Sequence, residues 1–470
     1  MKILLCSSEV VPFAKTGGLA DVTGALPLAL EKLGIEVRVI MPRYKLAQNS
    51  KFRVQSLKDG ISYSYIGKKI IVYFIENDKY FNRDGLYGDI HGDYRDNLDR
   101  FSFFCKKILD LLKEIDFKPD IIHSNDWQTA LVPIYLKALY RNDPFYQDIK
   151  TVLTIHNLAY QGLFPKEEFP KSGLSWDLFN IEGLEFYGKI NLLKGGIIFS
   201  DCLTTVSPTY SKEIQTKEFG CGLEGVLAKR RDCLFGILNG IDYDIWDPSK
   251  DKLIEKNFSL ASFDDKYFNK IQLQSECNLK VQKDIPLIGF ISRLAEQKGI
   301  DLLAASMEQI YKMELQFVLL GTGDEKYHII FEKVAKRYSK EISINLKYDD
   351  RLAHKIYAGS DMFLMPSRYE PCGLGQLISL KYGTIPIIYK TGGLADTISS
   401  YETKSEKGNG FVFDIYSREA LLSTIEKATS VYKDRIIWQR LARRAMEYDF
   451  SWEASAKKYI ELYKRCLSSA

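Results

Sequence analysis

Two stretches of the sequence set charged side chains just past short apolar runs, where a parallel sheet presents groups to a ligand. In ISRLAEQKG, Ile291–Gly299, these are Arg293 and Lys298. Two cations there neutralise a diphosphate and stabilise it as it leaves, work that a metal ion does elsewhere; solvated surface charge is the alternative. In PSRYEPCGLGQL, Pro366–Leu377, the loop after the apolar run MFLM carries Arg368 and Glu370, and Cys372, Gly373 and Leu374 then open a helix. First-turn N–H groups have no partner inside a helix, so they suit sugar hydroxyls or phosphate oxygens. Glu370 then faces the substrate, unless it is a loop carboxylate paired with Arg368. TIHNLAYQG places His156 and Asn157 at another strand end, and HSNDWQT does the same for Asp126 and Trp127. A lone histidine is often only a structural hydrogen-bonder, so both readings of His156 stand on these residues alone.

One heptapeptide occurs twice: KTGGLAD at Lys15–Asp21 and again at Lys390–Asp396. Each copy reads as following a strand and opening a helix. Gly17 and Gly18 would let backbone N–H groups approach a phosphate at a helix N-terminus, with Lys15 adding a point charge. The plainer reading is that paired glycines suit a tight turn. LGTGDEK, Leu320–Lys326, lacks the third glycine of a dinucleotide fingerprint.

Positioning these groups requires alternating strands and helices. Short apolar runs at Lys2–Cys6, Glu36–Ile40, Asp120–His123, Lys150–Ile155 and Leu203–Val206 form one series. Pro286–Ser292, Gln316–Leu320, Ile342–Leu346, Met362–Met365 and Ile385–Ile388 form a second. With amphipathic stretches between them, these predict two Rossmann-like domains with parallel sheets. The turn-rich DYDIWDPSKDK puts a boundary near Gly240. The expected domains are 1–240 and 241–450, followed by a terminal helix, 451–470, capped by Ser451. The 470 residues, 46% apolar and 27% charged, suit large cores, and the net charge of +4, thinly spread, names no polyanionic partner. The eight cysteines spell out no zinc or redox pair and fit free thiols in a reducing cytoplasm. MKILLCSSEV reads as a first strand rather than a leader, and no apolar run is long enough to span a membrane.

In order and spacing, KTGGLADV at Lys15, HSNDWQT, TIHNLAYQG, LNGID at Leu238, SRLAEQKG, PSRYEPCGLGQL and KTGGLADT at Lys390 resemble the bacterial glycogen synthases and plant starch synthases. These are retaining glycosyltransferases of the α/β GT-B fold, two Rossmann-like domains facing a deep cleft, and the resemblance implies that the terminal helix 451–470 crosses back to the first domain. The resemblance implies transfer of glucose from ADP-glucose to the non-reducing 4-hydroxyl of an α-1,4-glucan such as glycogen, with retention at the anomeric carbon. It implies no metal, no cofactor, no nucleic acid and no membrane. By the same resemblance Lys15 contacts the sugar nucleotide, Arg293 and Lys298 hold its diphosphate, Glu370 lies by the reacting glucose and His156 lines the same pocket. Asp21, Tyr94, Asp126, Asn239, Cys372 and Thr391 match further active-site positions, and Tyr348 the aromatic that stacks on adenine. Two positions depart from related patterns: Ile378, where many retaining GT-B enzymes hold ribose with a glutamate, and Gly375, often Thr or Ile in this family. Altered loop packing is expected from these, not lost activity.

Three other classes fit less well. A nucleotide-dependent oxidoreductase wants a full G-x-G-x-x-G after its first strand. A phosphorylase-type enzyme needs pyridoxal phosphate, visible in an absorbance spectrum. A non-catalytic glucan-binding protein would have been favoured by loss of Lys15, Arg293, Lys298 or Glu370, and all four are present.

Overall fold

The computed structural model describes residues 1–48 and 52–468; the last two residues of the expected terminal segment lie outside this range. The chain forms two compact units, one of residues 1–239 with 452–470 and one of residues 240–451.

The first unit is built on a nine-stranded sheet whose strands begin, in spatial order, at Leu234, Cys202, Lys150, Ile121, Lys2, Glu36, Ile70, Ile61 and Gln55. Neighbours run parallel from Leu234 through Ile70, and the hairpin of Ile61–Ile66 and Gln55–Lys58 completes one edge antiparallel. Lys2–Cys6 sits centrally, so its Ile3, Leu4, Leu5 and Cys6 are all buried and the strand reads as an unbroken apolar run. Chain order reverses beside it, with Glu36–Pro42 on one flank and Ile121–Asn125 on the other. Helix Gly18–Lys32 packs against the terminal helix Trp452–Ser468 within this unit.

The second unit has a six-stranded parallel sheet, with strands beginning at Ile342, Gln316, Leu287, Met362, Ile385 and Phe411 in spatial order. Numbered by chain position this is 3-2-1-4-5-6, the dinucleotide-fold order. Its crevice lies where strand 1, Leu287–Ile291, meets strand 4, Met362–Met365.

The reading that each KTGGLAD copy follows a strand holds for the second only. Ile385–Tyr389 ends directly before Lys390, whereas Lys2–Cys6 ends well before Lys15. Residues 7–17 leave the sheet as a loop held by a carboxylate, and the helix they open is the long one, Gly18–Lys32; the second copy opens only Gly392–Thr397. Phe411–Phe413 and Leu234–Gly236 are three residues each, too short to stand out as strands, and the sequence reading did not single out Gln55–Lys58, Ile61–Ile66 or the apolar Ile70–Ile75.

Candidate functional site

In the second unit, the loops leaving the two crevice strands enclose a cavity of about 200 Å³. Arg293 and Lys298 line it from one loop, and Ser367, Glu370, Gly373, Leu374 and Gly375 from the other. Backbone bonds join the loops: the amide of Arg368 donates to the carbonyl of Gln297 at 2.9 Å, and the Gln297 side chain donates to the carbonyl of Tyr369. Gly299 adopts φ +71°, and a Cβ there would lie 2.0 Å from the carbonyl oxygen of Pro366, so this approach requires glycine.

Glu370 is buried and accepts from Lys298 Nζ at 2.6 Å and Ser367 Oγ at 3.0 Å. Arg368 instead pairs with Asp301 at 2.8 Å and lies over the Tyr416 ring, so the alternative of a Glu370–Arg368 loop pair is overturned. Arg293 is exposed and forms no ion pair among the described residues. With one carboxylate against two cations the cavity is net positive, and it attracts an anion. The N–H groups of Gly373 and Leu374 have no acceptor among the described residues; φ of +71° at Gly373 turns the chain into helix Gly375–Lys381. Such amides at a helix start, beside two cations, form an anion and hydroxyl cradle.

The first unit gathers its groups where strand order reverses. Lys15 pairs with Asp21 at 2.7 Å. Burial raises the Asp21 pKa, Lys15 opposes the rise, and the charge of Glu9 adds to it. Asp126 is buried, sits at φ +54°, and accepts the amide of His156 at 2.7 Å. Burial pushes its carboxyl up to about 7 in spite of amide bonds from His156 and Asn157. The His156 ring is held neutral by burial, its pKa down at about 3. Asn125 donates through Nδ2 to the carbonyl of Cys6 at 3.0 Å, which leaves its Oδ1 to accept from His156 Nε2 at 2.9 Å. His156 therefore carries its proton on Nε2, and Nδ1 holds a lone pair that accepts but does not donate. Asn239 is buried, and its Oδ1 has no partner among the described residues, an acceptor whose desolvation they leave uncompensated. Tyr94 takes the amide of Gly85 on its hydroxyl, with Arg83 over its ring.

Two family models match, the starch synthase catalytic domain over residues 2–229 and the glycosyl transferases group 1 over residues 275–445. A glycogen synthase of Geotalea daltonii is 50% identical over all of this chain and 99% of its own, and one of Thermotoga maritima is 46% identical at the same coverage. The chain belongs to the glycogen and starch synthase family. It is thus a glycosyltransferase of the GT-B fold. Among solved structures, the catalytic domain of starch synthase IV from Arabidopsis thaliana, bound to ADP and acarbose, is 35% identical with a TM-score of 0.90 over 99% of each chain. A sucrose-phosphate synthase from Thermosynechococcus elongatus shares the fold, with TM-score 0.64 at 16% identity over both whole chains.

In this glycosyltransferase the remaining sequence candidates fall as follows. Tyr348 is 83% exposed beyond the strand Ile342–Asn345. Cys372 and Thr391 are buried, Thr391 as the residue capping Gly392–Thr397. The expectation that Gly17 offers its N–H to a phosphate is corrected, since that N–H donates to Glu9 Oε2 at 3.3 Å. What Gly17 and Gly18 provide is room: a Cβ on either would meet nothing within 4 Å. Gly375 is tightly packed: a Cβ there would lie 2.9 Å from the ring of Phe363, so a larger residue needs that ring to shift. Ile378 is core, buried in its helix. Sequence reasoning did not single out Ser367, Glu9 or Tyr87, whose phenol donates to Glu9 at 2.6 Å. Ser367 stands three residues before Glu370, and Glu9 follows the central strand, positions that carried a signal.

Proposed function

We propose that the chain transfers glucose from ADP-glucose to the non-reducing 4-hydroxyl end of an α-1,4-glucan, with retention of anomeric configuration. The observation that carries this reading is the cavity of the second unit, where Arg293 and Lys298, the amides of Gly373 and Leu374, and the buried Glu370 converge. Breaking the glucose–phosphate bond builds negative charge on the departing ADP and positive charge on the sugar. The cations serve the first and the carboxylate the second. Lys298, bound to Glu370 before substrate arrives, is then shared with the diphosphate, and Glu370 turns its charge to the sugar.

The second unit is the nucleotide side in this proposal, with Tyr348 stacking on adenine and Cys372 and Thr391 supporting the loop. The first unit is the acceptor side. It contributes Lys15, with Gly17 and Gly18 as clearance, and Asp21, Tyr94, Asp126, His156 and Asn239 as hydroxyl-binding groups. The neutral His156 accepts a hydrogen bond from a sugar hydroxyl through Nδ1. The relative bound to ADP and acarbose supports a nucleotide and a glucan-like sugar as ligands. Eight free thiols, most of them buried, suit the cytoplasm, and among the described residues no helix is long and apolar enough to cross a membrane. The test is a product assay with ADP-glucose and UDP-glucose side by side on a glucan primer. Chain extension from ADP-glucose is expected; hydrolysis alone, or no glucan from either donor, overturns the reading.

A further inference from the structure

Glu9 stands three residues past the central strand of the first unit and is only 3% exposed. Its Oε2 accepts the amides of Thr16 at 2.5 Å and Gly17 at 3.3 Å, and its Oε1 accepts the Thr16 hydroxyl and the Tyr87 phenol, each at 2.6 Å. Tyr87 has one proton and gives it to Glu9, so the Ser8 hydroxyl, 2.7 Å away, donates to Tyr87. Two amides and two hydroxyls aim donors at the carboxyl group, a pattern that favours its charged form. No lysine, arginine or histidine pairs with it among the described residues. Thr23 Oγ1, in the helix that follows, donates to the Glu9 carbonyl at 2.5 Å, so the same residue is tied to loop and helix together.

A buried anion without a cation is a costly way to fasten a loop. In the second KTGGLAD copy the amide of Gly393, the counterpart of Gly18, donates to the carbonyls of Glu370 at 3.1 Å and Pro371 at 3.2 Å. The first copy has the chain's own carboxylate in the place where loop amides would bind a phosphate. We propose that Glu9 is a positioning residue of the glucosyl transfer, filling the anion site of the Thr16 and Gly17 amides so that the loop presents the Lys15 ammonium, rather than its main chain, to the donor's diphosphate. The proposal rests on the function proposed above. The charge of Glu9 also adds, as the smallest influence after burial, to the raising of the Asp21 and Asp126 carboxyls.

The test is a double-mutant cycle of Glu9→Gln and Lys15→Ala, read as turnover and donor KM with ADP-glucose. A glutamine has one acceptor oxygen, so either the amides or the hydroxyls lose theirs. Glu9→Gln alone should lower turnover about tenfold with donor KM within about threefold, and should cost less than about twofold once Lys15 is alanine. Losses that multiply in the double variant overturn the proposal, since a general structural role does not act through Lys15. If Glu9→Gln does not fold, Tyr87→Phe removes one donor to the carboxylate and keeps the ring. The same cycle should then show a loss of about threefold that disappears with Lys15→Ala, and a loss that persists overturns the proposal. Failure of the wild-type chain to extend glucan overturns the proposed function and this inference with it, and is separated from the other outcomes by needing no variant.

Discussion

The two KTGGLAD copies have the same letters and opposite uses. In the first, the glycines border open space, Lys15 pairs with Asp21, and the amides bind a side-chain carboxylate. In the second, Gly392 has φ +43°, a Cβ on it would lie 2.0 Å from the carbonyl oxygen of Glu370, and one on Gly393 would lie 2.1 Å from that of Cys372. Lys390 is exposed and makes no ion pair among the described residues. The first copy clears a space for a ligand, and the second is a backstop that holds the Glu370 loop. A repeated motif thus identifies a backbone shape, and what that shape does is set by the group packed against it. The two units differ in charge the same way. Glu370 is balanced by Lys298, while Glu9 is buried with neutral donors only.

Breaking the balance in the second unit should have the largest effect. Arg293→Ala should lower turnover by two or more orders of magnitude, about 3 kcal/mol of charge stabilisation, in steady-state kinetics with ADP-glucose. Turnover within threefold of wild type would remove Arg293 from the reaction.

The glycines come next, and they separate the copies directly. Gly393→Ala must push the Glu370–Cys372 backbone, so it should cost about 1–3 kcal/mol of stability and at least about tenfold in turnover, read by thermal unfolding and by assay. Gly17→Ala should change stability by less than about 0.5 kcal/mol, because its backbone is extended and its surroundings are open. Its turnover should nonetheless fall, because the methyl enters space proposed for substrate. Equal stability losses in the two variants would erase the distinction.

A pH experiment sharpens the charge difference. Asp126 binds its proton more tightly in the folded chain, near 7, than an ordinary aspartate does at 3.8. The folded form therefore holds a proton that the unfolded chain has released, and this contribution to stability is lost as pH rises from about 4 to about 7. Asp126→Asn keeps an acceptor for the amides and tolerates the left-handed backbone, so it should raise the unfolding midpoint relative to wild type at pH 8 and not at pH 4. The same shift at both values would show that the charge is not the cause. The smallest effect is expected for Lys390→Ala, with turnover within about twofold of wild type, as for an exposed surface charge. A large loss there would make the second copy a ligand loop after all.

Much of the site was legible because it lies at strand ends. Arg293 and Lys298 follow one apolar run and Glu370 another, and parallel-sheet geometry alone brings neighbouring strand ends together. The Glu370–Lys298 pair was not legible, since the residues are far apart in sequence and Arg368 lies closer along the chain. Glu9 was not legible as a site residue, because its partners Thr16 and Gly17 lie at the far end of its own loop and Tyr87 comes from a remote one.

By itself the sequence determined the periodic elements, the two series of strands, the family resemblance, and which residue types stand at strand ends. Local sterics and apolar periodicity are written within short windows, and windows are what a sequence displays. The tertiary structure decided which charges meet, which amides are spent and which are left, and which of two identical heptapeptides has room above its glycines. Those outcomes depend on distances between segments remote in the chain. A carboxylate buried beside one loop, and a carbonyl pressed against the other, are invisible until the chain has folded.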